Sequence, residues 1–238
     1  MSQAASSFHS PLSYRAFEDT YEARPLTERA HPGLHAEVLH YLLQTVSRRG
    51  PLLDLGCGTG AWLARLQQHG FTDVLGIDCD AAAFGLDGTN HIALDLNTPF
   101  SAGIARNYDV ITALEVIEHV ESPAGFLREA RKLINPHGVM FVTTPNVECI
   151  QGRLRFLLQG KLRNFEDDRT DDPTRISPQL SSLMPRLAAR AGWTIAARID
   201  LLTQASRPLV KFVCRVLSPL LDGNAKQGDC HLFIMRPA

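Results

Sequence analysis

Long hydrophobic runs are missing from this chain. No stretch of about 18 or more uncharged apolar residues occurs, which excludes a membrane-spanning helix. Met1 to Ala16 is polar and lacks a charged segment leading into an apolar one, so no secretory leader is expected. Cysteine is sparse. Cys57, Cys79, Cys149, Cys214 and Cys230 are odd in number, scattered, and form no CxxC pair. That pattern excludes a disulfide framework or a zinc knuckle and points to a reducing cytoplasm. An excess of one charge is also missing: 24 Lys+Arg against 25 Asp+Glu leave a net charge of -1. The basic footprint of a nucleic-acid binder is therefore absent. There is no internal repeat and no low-complexity tract. What is present is 45% hydrophobic and 21% charged residues over 238 positions, enough apolar material for a sizeable core.

The polar, mixed-charge residues 1–30 read as a weakly ordered arm, and 31–238 as one domain. Leu34, Val38, Leu42, Leu43 and Val46 recur at helical spacing, and Arg48-Arg49-Gly50-Pro51 stops that helix. Strand-like runs then alternate with helical patterns. Strands are predicted at 51–55, 73–77, 91–94, 108–114 and 139–143, and helices at 61–69 and 123–134. Asn135 to Gly138 reads as a turn. This alternation implies βαβ units, a doubly wound parallel sheet and helices on both faces. After Pro145 it breaks down. Insertions are expected at about 146–176 and 202–227, around a helix at 177–191, a strand at 193–199 and a final strand at 231–235.

The most informative stretch is Leu52 to Gly60, an apolar strand running into Gly56, Gly58 and Gly60 and then a helix. Glycines there permit positive φ and a close approach of backbone to ligand. Asp78 ends the second strand, where a carboxylate can accept from ribose hydroxyls, and Asp95 follows the third. Gly56-x-Gly58-x-x-Ala61 also satisfies a dinucleotide fingerprint, with Asp78 near the expected offset. Asp54 before the glycines, the additional Gly60, and the lack of a second large domain argue against that reading.

With Asp54-Leu-Gly-Cys-Gly-Thr-Gly60, Gly76-Ile-Asp78, Asp95-Leu96, Tyr108 to Val120, and Leu133 to Asn146, the chain resembles the class I S-adenosylmethionine-dependent methyltransferases. The resemblance covers about residues 34–200 and the last strand. It implies a Rossmann-like seven-stranded sheet with an antiparallel strand 7. It implies S-adenosyl-L-methionine as cofactor and S-adenosyl-L-homocysteine as product. Asp78 would hold the ribose and Asp95 the adenine amino group. Cys79 and Leu96 would flank the adenine. Gly56, Cys57, Gly58 and Gly60 would pass the methionine portion, with Asp54 organising the turn and Leu114 contacting the cofactor from the fourth strand.

Glu115-x-x-Glu118-His119 follows that strand. Its histidine suits a general base for a hydroxyl acceptor, which makes Glu115, Glu118 and His119 the catalytic candidates. The pattern resembles ubiquinone-biosynthesis O-methyltransferases and small-RNA 2′-O-methyltransferases, in which these residue types are associated with a divalent metal. The further histidine of the RNA enzymes is missing here. Arg175-Ile-Ser-Pro178 stands where related sequences often carry one, which argues against a metal on Glu115, Glu118 and His119.

The Thr144-Pro145-Asn146 turn and the basic stretch after it resemble small-molecule methyltransferases. Asn146, Arg153 and Arg155 are accordingly the acceptor candidates. Residues 206–217 are basic and amphipathic and can lie on an anionic membrane surface, cover a pocket or form a dimer face. The expected activity is methyl transfer to a small-molecule hydroxyl in the cytoplasm. The alternatives are an RNA 2′-O-methyltransferase and a non-catalytic cofactor-binding or membrane-peripheral module. Neutral overall charge conceals a polarity: residues 1–150 hold 10 bases and 17 acids, and residues 151–238 hold 14 bases and 8 acids. The excess of bases in the half expected to cover the acceptor favours an anionic one.

Overall fold

Strand β1 (Leu52–Leu55) is buried along its whole length, as a central strand covered on both faces must be. In the computed structural model, which describes residues 26–165, 174–201, 216 and 228–238, β1 pairs in parallel with β2 (Val74–Asp78) and with β4 (Tyr108–Leu114). Outside them lie β3 (Asn90–Ala93), β5 (Ile134–Pro145), β6 (Trp193–Leu201) and β7 (Cys230–Pro237), in the order β3-β2-β1-β4-β5-β7-β6. Only β7 runs antiparallel to its neighbours, β5 and β6. The seven-stranded Rossmann-like sheet expected from the sequence is thus present. The strand order reverses between β1 and β4, where open α/β sheets bind ligands beyond the carboxyl ends of their strands.

The two faces carry two cores. Alternate residues of a strand point to opposite sides. Leu52 and Val74 pack with helices α1 (Leu34–Thr45) and α2 (Ala61–Gln68), while Leu53, Leu55 and Ile77 pack with α3 (Pro123–Leu133) and α5 (Met184–Arg190). Helix α3 begins on Ser122, whose hydroxyl accepts from Gly125 N at 3.1 Å, with Pro123 in the first turn, where no N–H is required. It ends with Arg131 and Lys132, cations suited to a helix C-terminus.

Two expectations need correcting. Asn135 to Gly138 is no separate turn but a bulge within β5. Tyr108 pairs with Ile134 and Val110 with Val139, so three extra residues are accommodated on the β5 side. The bulge is held by Asn135 Nδ2, which donates to Asp109 Oδ1 at 2.7 Å, and it is a place where Pro136, lacking an N–H, fits a strand. The helix expected at 177–191 is confined to α5, because the backbone before it is tied elsewhere. A further helix, α4 (Ile150–Gln159), occupies the first insertion and stops at left-handed Gly160. Residues 1–25 of the N-terminal arm, the acidic segment 166–173 and nearly all of the 202–227 insertion, with the amphipathic stretch 206–217, lie outside the described residues apart from Val216. Among the described residues no helix is long and apolar enough to cross a membrane.

Trp193 opens β6 from the centre of the second core. It is 1% exposed, its Nε1 donates to Leu127 O at 2.8 Å, and the Arg131 guanidinium lies over its ring. Trp193→Ala is expected to destabilise the fold by about 3–5 kcal/mol in urea titrations. A loss under about 1 kcal/mol would contradict this packing.

Candidate active site

Beyond the ends of β1, β2 and β4 the backbone opens a cavity of about 710 Å³, within the range of roughly 300–1,000 Å³ usual for small-molecule sites. Its floor is the glycine turn. Gly56 has φ 78°, and a Cβ there would stand 2.4 Å from Val116 Cγ2, so the turn and the loop after β4 can approach this closely only with glycine. Gly58 has φ 51°, and its N–H donates to Asp78 Oδ2 at 2.8 Å. Asp78 Oδ1 accepts from Asp80 N at 2.9 Å, so the carboxylate is oriented by two backbone donors at the end of β2.

Asp54 faces the side of the sheet that carries Trp62. Register puts it beside Thr112 of β4, whose hydroxyl donates to Asp54 Oδ1 at 2.6 Å and accepts from Trp62 Nε1 at 3.2 Å. Burial pushes Asp54 up to about 7, against the lowering effect of Thr112, with the charge of Asp78 adding to the rise. Cys57 is pushed up by burial and by the same two acids, so its thiol is not ionised at neutral pH.

The loop after β4 forms another wall. Glu115 sits at φ 55°, a left-handed conformation costly for a non-glycine residue, and its N–H donates to Thr143 Oγ1 at 2.9 Å. Its nearly buried carboxylate accepts from His31 N at 3.3 Å and from the Cys230 thiol at 3.2 Å, and lies 3.5 Å from Arg175 Nη2. His119 lines the cavity, with Nδ1 at 2.8 Å from Thr174 Oγ1.

The cavity brings together Asp54, Gly56, Cys57, Gly58, Asp78, Cys79, Asp95, Leu96, Leu114, Glu115 and His119. Five expected residues lie outside its lining. Gly60 caps α2 at φ 87°, where a Cβ would come within 2.8 Å of Leu86, so it serves packing. Glu118 is completely buried, and neither carboxyl oxygen has a hydrogen-bond partner among the described residues. Burial first, and then the charge of neighbouring Glu115, push it well above its ordinary value, against the lowering effect of Arg175. Asn146 is buried between the ends of β5 and β7, donating to Gly228 O at 3.1 Å and accepting from Glu148 N at 2.9 Å. Arg153 Nε donates to Glu148 O at 2.7 Å, and Arg155 shares helix α4 with it. Among the described residues no group of three or more His, Cys, Asp or Glu side chains converges as metal ligands.

Sequence reasoning missed the strap over the turn. Thr27, Arg29 and Ala30 line the cavity although they read as part of a weakly ordered arm. Thr59 Oγ1 donates to Thr27 O at 2.8 Å, and Arg29 lies 3.5 Å from Asp80. Glu28 is paired with Arg65 at 2.5 Å and stands 3.4 Å from His35, whose protonation burial disfavours. No periodicity marks such a segment, because it is held by single polar contacts. Trp62, Thr174 and Arg175 were missed as well.

A family model described as a methyltransferase domain matches residues 27–197. The chain belongs to the class I S-adenosylmethionine-dependent methyltransferase family. This methyltransferase is 35% identical over 107 residues to the ubiquinone biosynthesis O-methyltransferase of Azorhizobium caulinodans, a match covering 40% of each chain. It is 32% identical over 146 residues to the same-named protein of Marinobacter nauticus, covering 57% of this chain and 59% of that one. The match thus spans about two fifths of the first of these relatives and under two thirds of the second. In fold it is similar to a SAM-dependent methyltransferase from Archaeoglobus fulgidus (TM-score 0.60, 15% identity, 84% of this chain and 91% of that one). It is similar too to the magnesium protoporphyrin IX methyltransferase of Synechocystis with bound SAH (TM-score 0.56, 14% identity, 86% and 82%).

The folded value of Asp54 lies above its unfolded one, so its effect on stability has a definite sign. Below pH about 4 it adds nothing adverse; as pH rises from 4 to 7 the folded state resists losing the proton and is destabilised, by a few kcal/mol in all. Asp54→Asn keeps an acceptor for Thr112 and removes this effect. Thermal melts of the cofactor-free protein should therefore show the variant gaining on the parent as pH goes from 5 to 8. An unchanged difference across that range would contradict the assignment.

Proposed function

We propose that this methyltransferase moves the methyl group of S-adenosyl-L-methionine to an oxygen of a small-molecule acceptor. The observation that carries the reading is one cavity that joins Asp78, held against the glycine turn at the end of β2, to His119, in the loop after β4. The residues fit the cofactor. Left-handed glycines leave room at the turn, Leu96 and Leu114 supply apolar surface, and Asp54, Asp78, Asp95 and Glu115 offer acidic surroundings to a cationic ligand. When bound, the sulfonium supplies an already activated methyl group.

The chain's own work is then alignment, exclusion of water and handling of one proton. Two backbone donors fix Asp78, which leaves lone pairs for the ribose hydroxyls; Asp95 and Cys79 border the adenine end. Holding donor and acceptor in line converts an encounter between two molecules into a step within one complex. His119 takes the acceptor's hydroxyl proton. In the tautomer this requires, Nδ1–H donates to Thr174 Oγ1 and Nε2 receives the proton. Glu118, completely buried and outside the cavity lining, is not the base. Oxygen as the receiving atom is supported by the names of the relatives and by the histidine beside the cavity.

Calorimetry with S-adenosylhomocysteine and transfer of radiolabelled methyl into small-molecule extract fractions test this. Asp78→Ala should weaken S-adenosylhomocysteine binding by about 10- to 100-fold, the loss of charge-assisted hydrogen bonds. His119→Ala should lower transfer by about 10²- to 10⁴-fold while S-adenosylhomocysteine affinity holds within about twofold. Unchanged transfer in His119→Ala would overturn its role, and label entering only RNA or protein would overturn the small-molecule acceptor.

A further inference from the structure

The strap over the glycine turn is pinned on both sides of Arg29. Thr27 O accepts from Thr59 Oγ1 at 2.8 Å, Glu28 pairs with Arg65 at 2.5 Å, and His31 N donates to Glu115 Oε2 at 3.3 Å. These contacts reach the turn, helix α2 and the loop after β4, so the backbone that carries Arg29 is fixed beside the cavity. The Arg29 side chain lines that cavity, and its stem lies against the turn: a Cβ at Gly58 would meet Arg29 Cδ at 3.4 Å. Gly58 is also the residue whose N–H holds Asp78.

The guanidinium reaches Asp80, two residues past Asp78, with Nη1 at 3.5 Å from Oδ2. That pair is loose. Its length exceeds the roughly 2.7–2.9 Å of a charge-assisted hydrogen bond. The two side chains are 58% and 47% exposed, and ion pairs so open to water contribute little. Asp80 is therefore a partner that Arg29 can exchange for a better one at small cost.

The cofactor proposed for this cavity supplies such a partner. Besides its sulfonium it has an amino-acid end with an ammonium and a carboxylate. Asp54, Asp78, Asp95 and Glu115 in the lining suit the two cationic groups and repel the carboxylate. A cation has to offset that repulsion. The lining holds two arginines, of which Arg175 is engaged with Glu115. Arg29 lies at the glycine turn, close to Asp78. The amino-acid end is only a few bonds from the ribose, so it falls within reach of an arginine placed there.

Resting on the function proposed above, we infer that Arg29 is a cofactor-binding residue, which turns from Asp80 to hold the carboxylate of the cofactor's amino-acid end. The planar fork of a guanidinium matches a carboxylate with two parallel hydrogen bonds. The alternative is that Arg29 only anchors the strap to Asp80, and then a carboxylate on the ligand would not matter.

The test uses the full chain and two probes that differ only in the carboxylate: S-adenosylhomocysteine and decarboxylated S-adenosylhomocysteine. Calorimetry should show the parent binding the first about tenfold or more tightly than the second. Arg29→Gln should reduce that preference to within about twofold, and Arg29→Lys should retain part of it. Asp80→Asn, which removes the competing partner, should leave the preference intact or enlarge it. No preference in the parent overturns the inference, as does a preference that survives Arg29→Gln or one that Asp80→Asn abolishes. Should Arg29→Gln bind neither probe, Arg29→Lys decides: a drop in preference of about threefold or more supports the inference, and an unchanged preference or loss of both probes overturns it. Failure of the parent to bind either probe would instead overturn the function on which the inference rests.

Discussion

The hydrogen bond from Gly58 N to Asp78 Oδ2 joins the turn after β1 to the end of β2, and the site is organised around it. It requires a positive φ at Gly58, parallel pairing that sets Leu55 beside Ile77, and a carboxylate one residue further on. A side chain at position 58 would strain the turn. A one-residue slip of β2 would turn Asp78 to the other face and bury its charge. The same contact that closes the turn also orients the carboxylate proposed to hold the ribose.

The acids around the cavity differ in environment, and the differences separate their roles. Asp78 is partly open and held by backbone donors. Asp54 is buried against Thr112 and pushed up to about 7. Glu118 is buried with no hydrogen-bond partner among the described residues, and burial pushes it up. Glu115 is nearly buried beside Arg175 on a strained backbone. Burial and the neighbouring Glu115 both disfavour a charge on Glu118. The loop after β4 therefore offers one histidine to the cavity and keeps one acid inside the fold.

Much of this was legible in the sequence. The buried strand, the glycines and the acids at strand ends are local signals with fixed periods, and they located the sheet and many of the residues that line the cavity. Gly60 and Glu118 fall outside the cavity lining, since motif membership does not say which way a residue faces. Gly60 packs against Leu86, and Glu118 goes into the core. Asn146 looked available in a turn and is consumed by the antiparallel ends of β5 and β7. The strap at Thr27 to Ala30 and the wall at Thr174 and Arg175 were invisible as structure because each is held by long-range polar contacts. Arg175 left only one trace, as an arginine at a position where a histidine was expected.

A crystal structure of the protein grown with S-adenosylhomocysteine tests the central claim most directly. The account predicts the ribose hydroxyls against the Asp78 carboxylate, the adenine between Cys79 and Leu96, and the sulfur on the His119 side of the cavity. A ligand bound elsewhere, or one bound here with its sulfur directed away from His119, would contradict it.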